Sequence, residues 1–213
     1  MQKLIFNLLI TLASAVFFIH VQAQKVPCPP EGGPKRGGHP LTEEKKELNR
    51  KKNRSAAEPG TDPVVLSIKD LLQGKKPVKD RHDFKEGTYV EINDGYMMDF
   101  EEKGPEDCNC HLAQKKKATG DVHIVLCTQG NLEKEDNDFT LVVEITPSYK
   151  ALHHGYTSTL NKLKGKMVTV RGYLFYDDDH EGNSLNYCKT CTKKVVWRKT
   201  CWEIHPVTYI GKQ

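Results

Sequence analysis

Residues 87–102, GTYVEINDGYMMDFEE, decide the fold. Tyr89, Val90, Ile92, Tyr96, Met97, Met98 and Phe100 make a strand-like run well beyond the usual five or six residues. Asn93-Asp94-Gly95 interrupts it, marking either a two-residue hairpin or a bulge at which one long strand bends. Downstream, Asp121–Cys127 alternates with Val122, Ile124 and Leu126 on one face. Phe139–Thr146 follows with Leu141, Val142, Val143 and Ile145, and Pro147 stops it. The period then changes. Tyr149, Leu152, Tyr156, Leu160 and Leu163 recur every three or four residues, the spacing of an amphipathic helix, and Gly165 ends it. Lys166–Tyr176 returns to strand, and Lys194–Ile210 supplies the last strand region.

The order is long strand, strand, strand, helix, strand, strand. It predicts an all-β class with one helix: the OB-fold, a five-stranded Greek-key barrel with its helix between strands three and four. A first strand long enough to bend suits that barrel. An SH3-like barrel lacks the long helix, and a split α+β sheet is the other competitor.

Outward from the barrel, residues 1–23 read as a secretory signal peptide. Lys3 precedes an apolar run from Leu4 to Ile19, and Val21-Gln22-Ala23 offers a small-residue cleavage site. The run is shorter than the roughly 20 residues of a spanning helix, so a secreted or periplasmic product is expected, with no transmembrane segment after cleavage. Residues 24–62 carry Pro27-Cys28-Pro29-Pro30, Gly32-Gly33 and Gly37-Gly38 with few apolar residues, and are expected to be a disordered basic linker. Leu41–Arg54 has too few apolar positions for a convincing helix. Residues 63–80 read as a strap against the domain, and 81–213 as the OB-fold domain.

Charge separates the same regions. The net charge is +4, yet residues 24–62 hold nine Lys/Arg against six Asp/Glu, whereas residues 63–213 hold 22 of each. A neutral domain lacks the basic stripe through which counterion release drives duplex binding.

Beyond pattern, Gly95-Tyr96, Asp107-Cys108-Asn109-Cys110-His111, Asp121-Val122-His123-Ile124, Glu144-Ile145-Thr146-Pro147, Gly172–Asp177 and Trp202-Glu203-Ile204-His205-Pro206-Val207-Thr208 resemble a group of small exported bacterial OB-fold proteins, mostly uncharacterised. The resemblance spans about Asn49 to Ile210, and the closing Trp-Glu-Ile-His-Pro-Val-Thr string is its most specific part. It implies fold and compartment rather than activity. Tyr187–Lys199 looks longer than is usual in the group.

Four constellations carry chemistry. Six of the seven cysteines, Cys108, Cys110, Cys127, Cys188, Cys191 and Cys201, lie in the domain, and export favours three disulfides with Cys108 and Cys110 bridged to separate partners. Connectivity stays open, and Cys28 is left for an intermolecular bridge. The alternative is a thiolate centre for zinc or another divalent metal from Cys108, Cys110, Cys188 and Cys191, with His111 in reserve. Second, Asp121/His123 and Glu203/His205 stand at i, i+2 on strands, so each pair shares a face. With Glu144, Asp177 and His180 they are candidates for a metal-dependent hydrolase site, though no His-Glu-x-x-His spacing is present and a hydrogen-bonded structural network is the plainer alternative. Third, Tyr173, Trp197 and Trp202, with Lys115, Lys116, Lys117, Lys193 and Arg198 on or near the loops that rim an OB ligand face, are the candidate binding residues. Fourth, Asp177-Asp178-Asp179-His180-Glu181 lacks calcium-loop alternation and reads as a solvated turn.

The function expected from these residues is binding without catalysis and without a cofactor. The ligand classes are single-stranded nucleic acid, glycan or peptide. Alternatives are a nuclease-like metal-dependent hydrolase using Asp121, His123, Glu144, Glu203 and His205, and an envelope adaptor that meets a protein partner through its N-terminal arm.

Overall fold

A computed structural model describes residues 28–73, 84–111, 120–128, 140–186 and 198–213. The strands are β1 (Val64–Val65), β2 (Tyr89–Glu102), β3 (Val122–Thr128), β4 (Thr140–Ile145), β5 (Met167–Tyr176) and β6 (Trp202–Lys212). The α-helices are α1 (Glu43–Lys52), α2 (Ile68–Gln73), α3 (Pro147–Leu152) and α4 (Tyr156–Leu163). β2 pairs antiparallel with both β3 and β5, β3 with β4, and β5 with β6, while β4 and β6 run parallel. The cycle β2-β3-β4-β6-β5-β2 therefore closes, and the chain is an OB-fold-like barrel of five strands. β1 adds a short parallel edge to β2.

One continuous β2 serves both halves of the barrel. Its register against β5 slips between Ile92 and Gly95, so Asn93-Asp94-Gly95 is a bulge that bends the strand, not a hairpin. The expected single helix is two. α3 ends at Leu152 with His153 as its C-cap, and Gly155, at φ 82° in a left-handed conformation that glycine takes at little cost, caps the start of α4. Among the described residues the last strand starts at Trp202, and Lys194 lies outside them. Arg198 lies ahead of it, in an isolated parallel bridge with Ser184, and its Nε donates to the Thr200 carbonyl.

Strand alternation sorts the side chains. Val122, Ile124, Leu126, Leu141, Val143, Ile145, Val168, Val170, Leu174 and Ile204 fill the interior, and Ile68, Leu71 and Leu72 of α2 join the same cluster. Their neighbours in sequence, His123, Glu144, Phe175, Glu203 and His205, project from the outer face. These too are buried. The segment expected to be disordered covers them.

Residues 28–62 are ordered, and the reason is polar. Thr42 caps α1 by accepting from the Lys45 amide at 3.2 Å, Glu43 and Glu44 occupy the first turn, and Arg50, Lys51 and Lys52 the last, so the charges complement the helix dipole. The residues of α1 that are buried are Asn49 and Lys52, both hydrogen-bonded. Asn53 donates to the Cys108 carbonyl at 2.7 Å, and Cys28 forms a disulfide with Cys110. That disulfide corrects two expectations: Cys110 pairs outside the domain's own cysteines, and Cys28 is not left over for a second molecule. Cys108, Cys127 and Cys201 are unbridged, and Cys188 and Cys191 lie outside the described residues. The expected signal peptide also lies outside them. Among the described residues, no helix is long and apolar enough to cross a membrane.

Candidate functional site

The outer face of β3, β4 and β6 carries a row of ionisable side chains because three strand registers align. His123 on β3 pairs across to Glu144 on β4, and the parallel rungs Val142–Glu203 and Val143–Ile204 bring Glu144 beside His205 on β6. His123 Nε2 lies 2.9 Å from Glu144 Oε1, and His205 Nδ1 lies 3.0 Å from Glu144 Oε2. His205 Nδ1 is also 3.6 Å from Glu203 Oε2, and neither of its contacts is aligned as a hydrogen bond. Arg198 Nη1 donates to Glu203 Oε1 at 2.7 Å, with both side chains fully out of solvent. Asp121, at the start of β3, faces the same group, and its Oδ2 is 3.6 Å from the Cys108 thiol.

The arm completes the group from above. Lys52 Nζ lies 2.6 Å from Asp177 Oδ2 and 5.4 Å from the centre of the Phe175 ring. Arg54 follows, 5.6 Å over the ring of Tyr173. Four carboxyls (Asp121, Glu144, Asp177, Glu203) thus meet four cationic side chains (Lys52, His123, Arg198, His205), all buried.

Burial and charge pull these groups apart in acidity. Burial would raise Glu144, but His123 and His205 hold it well below the usual carboxylate range. Burial works against a charged His205, yet Glu144, Glu203 and Asp121 lift it to about 10. Asp121 goes the other way: desolvation dominates and pushes it up to about 6, against the opposing pull of His205. For Lys52 desolvation is outweighed by Asp177, Glu144 and Glu203, so the ammonium stays charged. Cys108 is pushed well up by burial, then by Asp121 and Glu106, and stays a thiol.

Of the residues singled out from sequence, Asp121, His123, Glu144, Glu203 and His205 converge as one cluster, and Asp177 joins it through Lys52. The solvated-turn reading of residues 177–181 holds for Asp178 and fails for Asp177, which is wholly buried. The expected binding surface is corrected at two positions. Trp202 sits in the barrel core, edge-on to Phe84 and Tyr176, and Arg198 is committed to Glu203 beneath the surface. Tyr173 is half-buried under Arg54, its ring 5.4 Å from that of Tyr89. Lys115, Lys116, Lys117, Lys193 and Trp197 lie outside the described residues. Of the expected thiolate centre, Cys110 is bridged to Cys28 and has no thiolate to offer, while Cys188 and Cys191 lie outside the described residues. Lys52 is the functional-face residue that the sequence reading missed, for nothing in a run of basic residues distinguishes it.

Chemically, Asp121, Glu144 and His205 bring one ligand atom each to within 4.8 Å of one another, a mixed oxygen and nitrogen set of the kind that holds zinc or manganese. Asp121 also belongs to a second such group with Glu106 and Cys108, and Glu203 to a third with Asp177 and His180. On this face Glu203 Oε2 and both ring nitrogens of His205 have no hydrogen-bond partner among the described residues, and buried Asn109 Nδ2 and Thr146 Oγ1 are likewise unmet elsewhere. No protein-family model matches the chain, and no curated protein or solved structure matches it.

Proposed function

We propose that this protein is an exported OB-barrel binding module that works through the outer face of β3, β4 and β6, and that Asp121, Glu144 and His205 hold a divalent cation there. The observation that carries this reading is the set of orphaned polar atoms, Glu203 Oε2 and both ring nitrogens of His205, inside a buried ionic row beside Asp121 and Glu144. Structural networks satisfy such atoms, because an unmet buried donor or acceptor costs about 1–3 kcal/mol. A face kept under that cost fits a site awaiting a ligand. A cation at this place favours ligands bearing phosphate or carboxylate, which makes single-stranded oligonucleotides and acidic glycans the first classes to screen. Export is supported by the residue 1–23 pattern and the Cys28–Cys110 disulfide. The resemblance in the closing strand accords with both barrel and compartment.

The test is calorimetric titration of zinc, manganese and calcium into metal-free protein, then into His205→Ala. Stoichiometric binding that the substitution abolishes supports the reading. Binding unchanged by His205→Ala, or none in any form, removes it.

One observation favours a second reading, a metal-dependent hydrolase. Three protein ligands leave coordination positions for a water, which a bound cation would acidify towards a nucleophile. Turnover of bis(p-nitrophenyl) phosphate by the metal-loaded protein, absent in His205→Ala, supports it; no turnover above buffer rejects it. The adaptor reading loses its covalent route in this state, since Cys28 is already bonded to Cys110.

A further inference from the structure

The arm that covers the ionic face is attached in an unusual way. α1 buries no apolar side chain: its buried residues are Asn49 and Lys52. Its hold on the barrel is one disulfide, Cys28–Cys110, the buried Lys52–Asp177 pair, the small side chain of Ala56 beyond the helix, and polar contacts that water can replace: Lys45 to Asp179 at 2.5 Å, Asn53 to the Cys108 carbonyl, and the Gly33 amide to the Asp107 carbonyl at 2.9 Å. A ten-residue helix without an apolar face has little stability of its own. An element that buries so little apolar surface opens more readily than the barrel strands it covers. A polar groove between Thr42–Lys45 and Asp178–Asp179 already marks the seam.

Charge makes the cover and a cation alternatives. Lys52 Nζ sits 2.6 Å from Asp177 Oδ2 on this buried face, and a second cation brought beside it out of reach of water would be repelled. Arg198 belongs to the barrel; Lys52 is carried by the arm and leaves with it.

We infer that residues 28–57 are a latched cover, that Lys52 occupies the face as a built-in cation, and that breaking the Cys28–Cys110 disulfide lets the arm lift and a divalent cation take its place. The cation half of this inference rests on the proposed metal reading; the cover does not. The chemistry of the latch is thiol–disulfide exchange with an external dithiol. Its thiolate attacks one sulfur of the disulfide, its second thiol resolves the mixed disulfide, and the dithiol leaves oxidised while its two protons end on Cys28 and Cys110. Both cysteines of the latch are partly exposed to such a reductant, whereas neighbouring Cys108 is buried and does not compete. Linkage is reciprocal: whatever factor arm closure takes from cation affinity, the cation takes from closure.

The experiment uses full mature chain in three forms: oxidised, Cys28→Ser/Cys110→Ser, and Lys52→Met. The double variant removes the latch without adding a thiol reductant that would itself chelate metal. Amide hydrogen exchange over residues 43–53 reads the cover, and zinc or manganese titration reads the face. The expected result is at least tenfold faster exchange in α1 of the double variant, unchanged exchange in β3 and β4, and at least tenfold tighter cation binding in both variants. Equal exchange in α1 of the oxidised and double-variant forms overturns the cover. Faster exchange with cation affinity within twofold of the oxidised form overturns the competition while leaving the metal reading intact. Faster exchange with no cation bound by any form overturns the metal reading, and with it the competition, and leaves only the cover standing.

Discussion

Lys52 Nζ and Asp177 Oδ2 meet at 2.6 Å with both side chains almost wholly out of solvent, although 125 residues separate them. The pair fastens the segment ahead of the barrel to the loop that follows β5. Removing one member leaves the other's charge buried, which costs about 3–5 kcal/mol in comparable pairs. Lys52→Ala should therefore lower unfolding free energy by about 3 kcal/mol, the low end of that range, because a lifted arm lets water reach Asp177. Lys52→Met with Asp177→Asn should recover most of the loss. Urea denaturation of the three proteins checks this, and a loss under about 0.5 kcal/mol for Lys52→Ala would mean the pair is no more than a surface contact.

Asp121 carries a signature in pH. Its carboxyl is raised from the ordinary 3.8 to about 6 by burial, so the folded state holds a proton that the unfolded state gives up. The sign follows: the group is neutral and harmless below about pH 4, and its contribution to stability falls as pH rises through 6. The displacement corresponds to roughly 3 kcal/mol at most. Asp121→Asn should match the metal-free parent near pH 4 and exceed it by about 1–3 kcal/mol above pH 6.5. Paired melts across pH 4–8 check it, and a constant difference would show that ionisation of Asp121 is not what costs stability.

Much of this was legible in the sequence, and the physical reason is alternation. The i, i+2 spacing put Asp121 with His123 and Glu203 with His205 on the face opposite the apolar positions, and the strand order of the barrel made their strands neighbours of the one that carries Glu144. The bend in β2 was narrowed to two outcomes by Asn93-Asp94-Gly95. What stayed hidden was polar anchoring. Hydrophobic periodicity detects helices that bury apolar stripes, and α1 buries an asparagine and a lysine. Arg198 and Trp202 illustrate the other limit. A buried arginine reads like an exposed one, and a ring on a strand has two faces to choose between until the barrel closes.

Arg198 yields a prediction that separates structure from recognition. Its guanidinium donates to Glu203 Oε1, the Thr200 carbonyl and the Trp202 carbonyl, all beneath the surface. Arg198→Met strands the Glu203 carboxylate and should cost about 3–5 kcal/mol. Restoring neutrality with Glu203→Gln should recover part of that. Affinity of the still-folded double variant for any oligonucleotide found in a screen should stay within twofold of the parent. A large affinity loss at unchanged stability would return Arg198 to the ligand surface.

Gly32 tests whether the glycine-rich arm is built or merely permissive. Composition alone reads Gly32-Gly33 as a flexible linker, yet Gly32 adopts φ 70° and lies so close to Asp107 that a Cβ would overlap its carbonyl oxygen and crowd the Asn49 side-chain amide. The adjacent Gly33 amide donates to that same carbonyl at 2.9 Å, and Asn49 Nδ2 to the Glu31 carbonyl at 2.9 Å. Left-handed backbone costs a non-glycine residue about 1–2 kcal/mol before any overlap is relieved. Gly32→Ala should therefore loosen the turn that seats α1 against residues 107–109, while Gly37→Ala, strained in backbone but with open space around it, should not. The measurement is amide exchange in α1 with the disulfide intact. Faster exchange in Gly32→Ala alone means the arm is seated by a shaped turn, and equal exchange in both variants means the disulfide does the seating by itself.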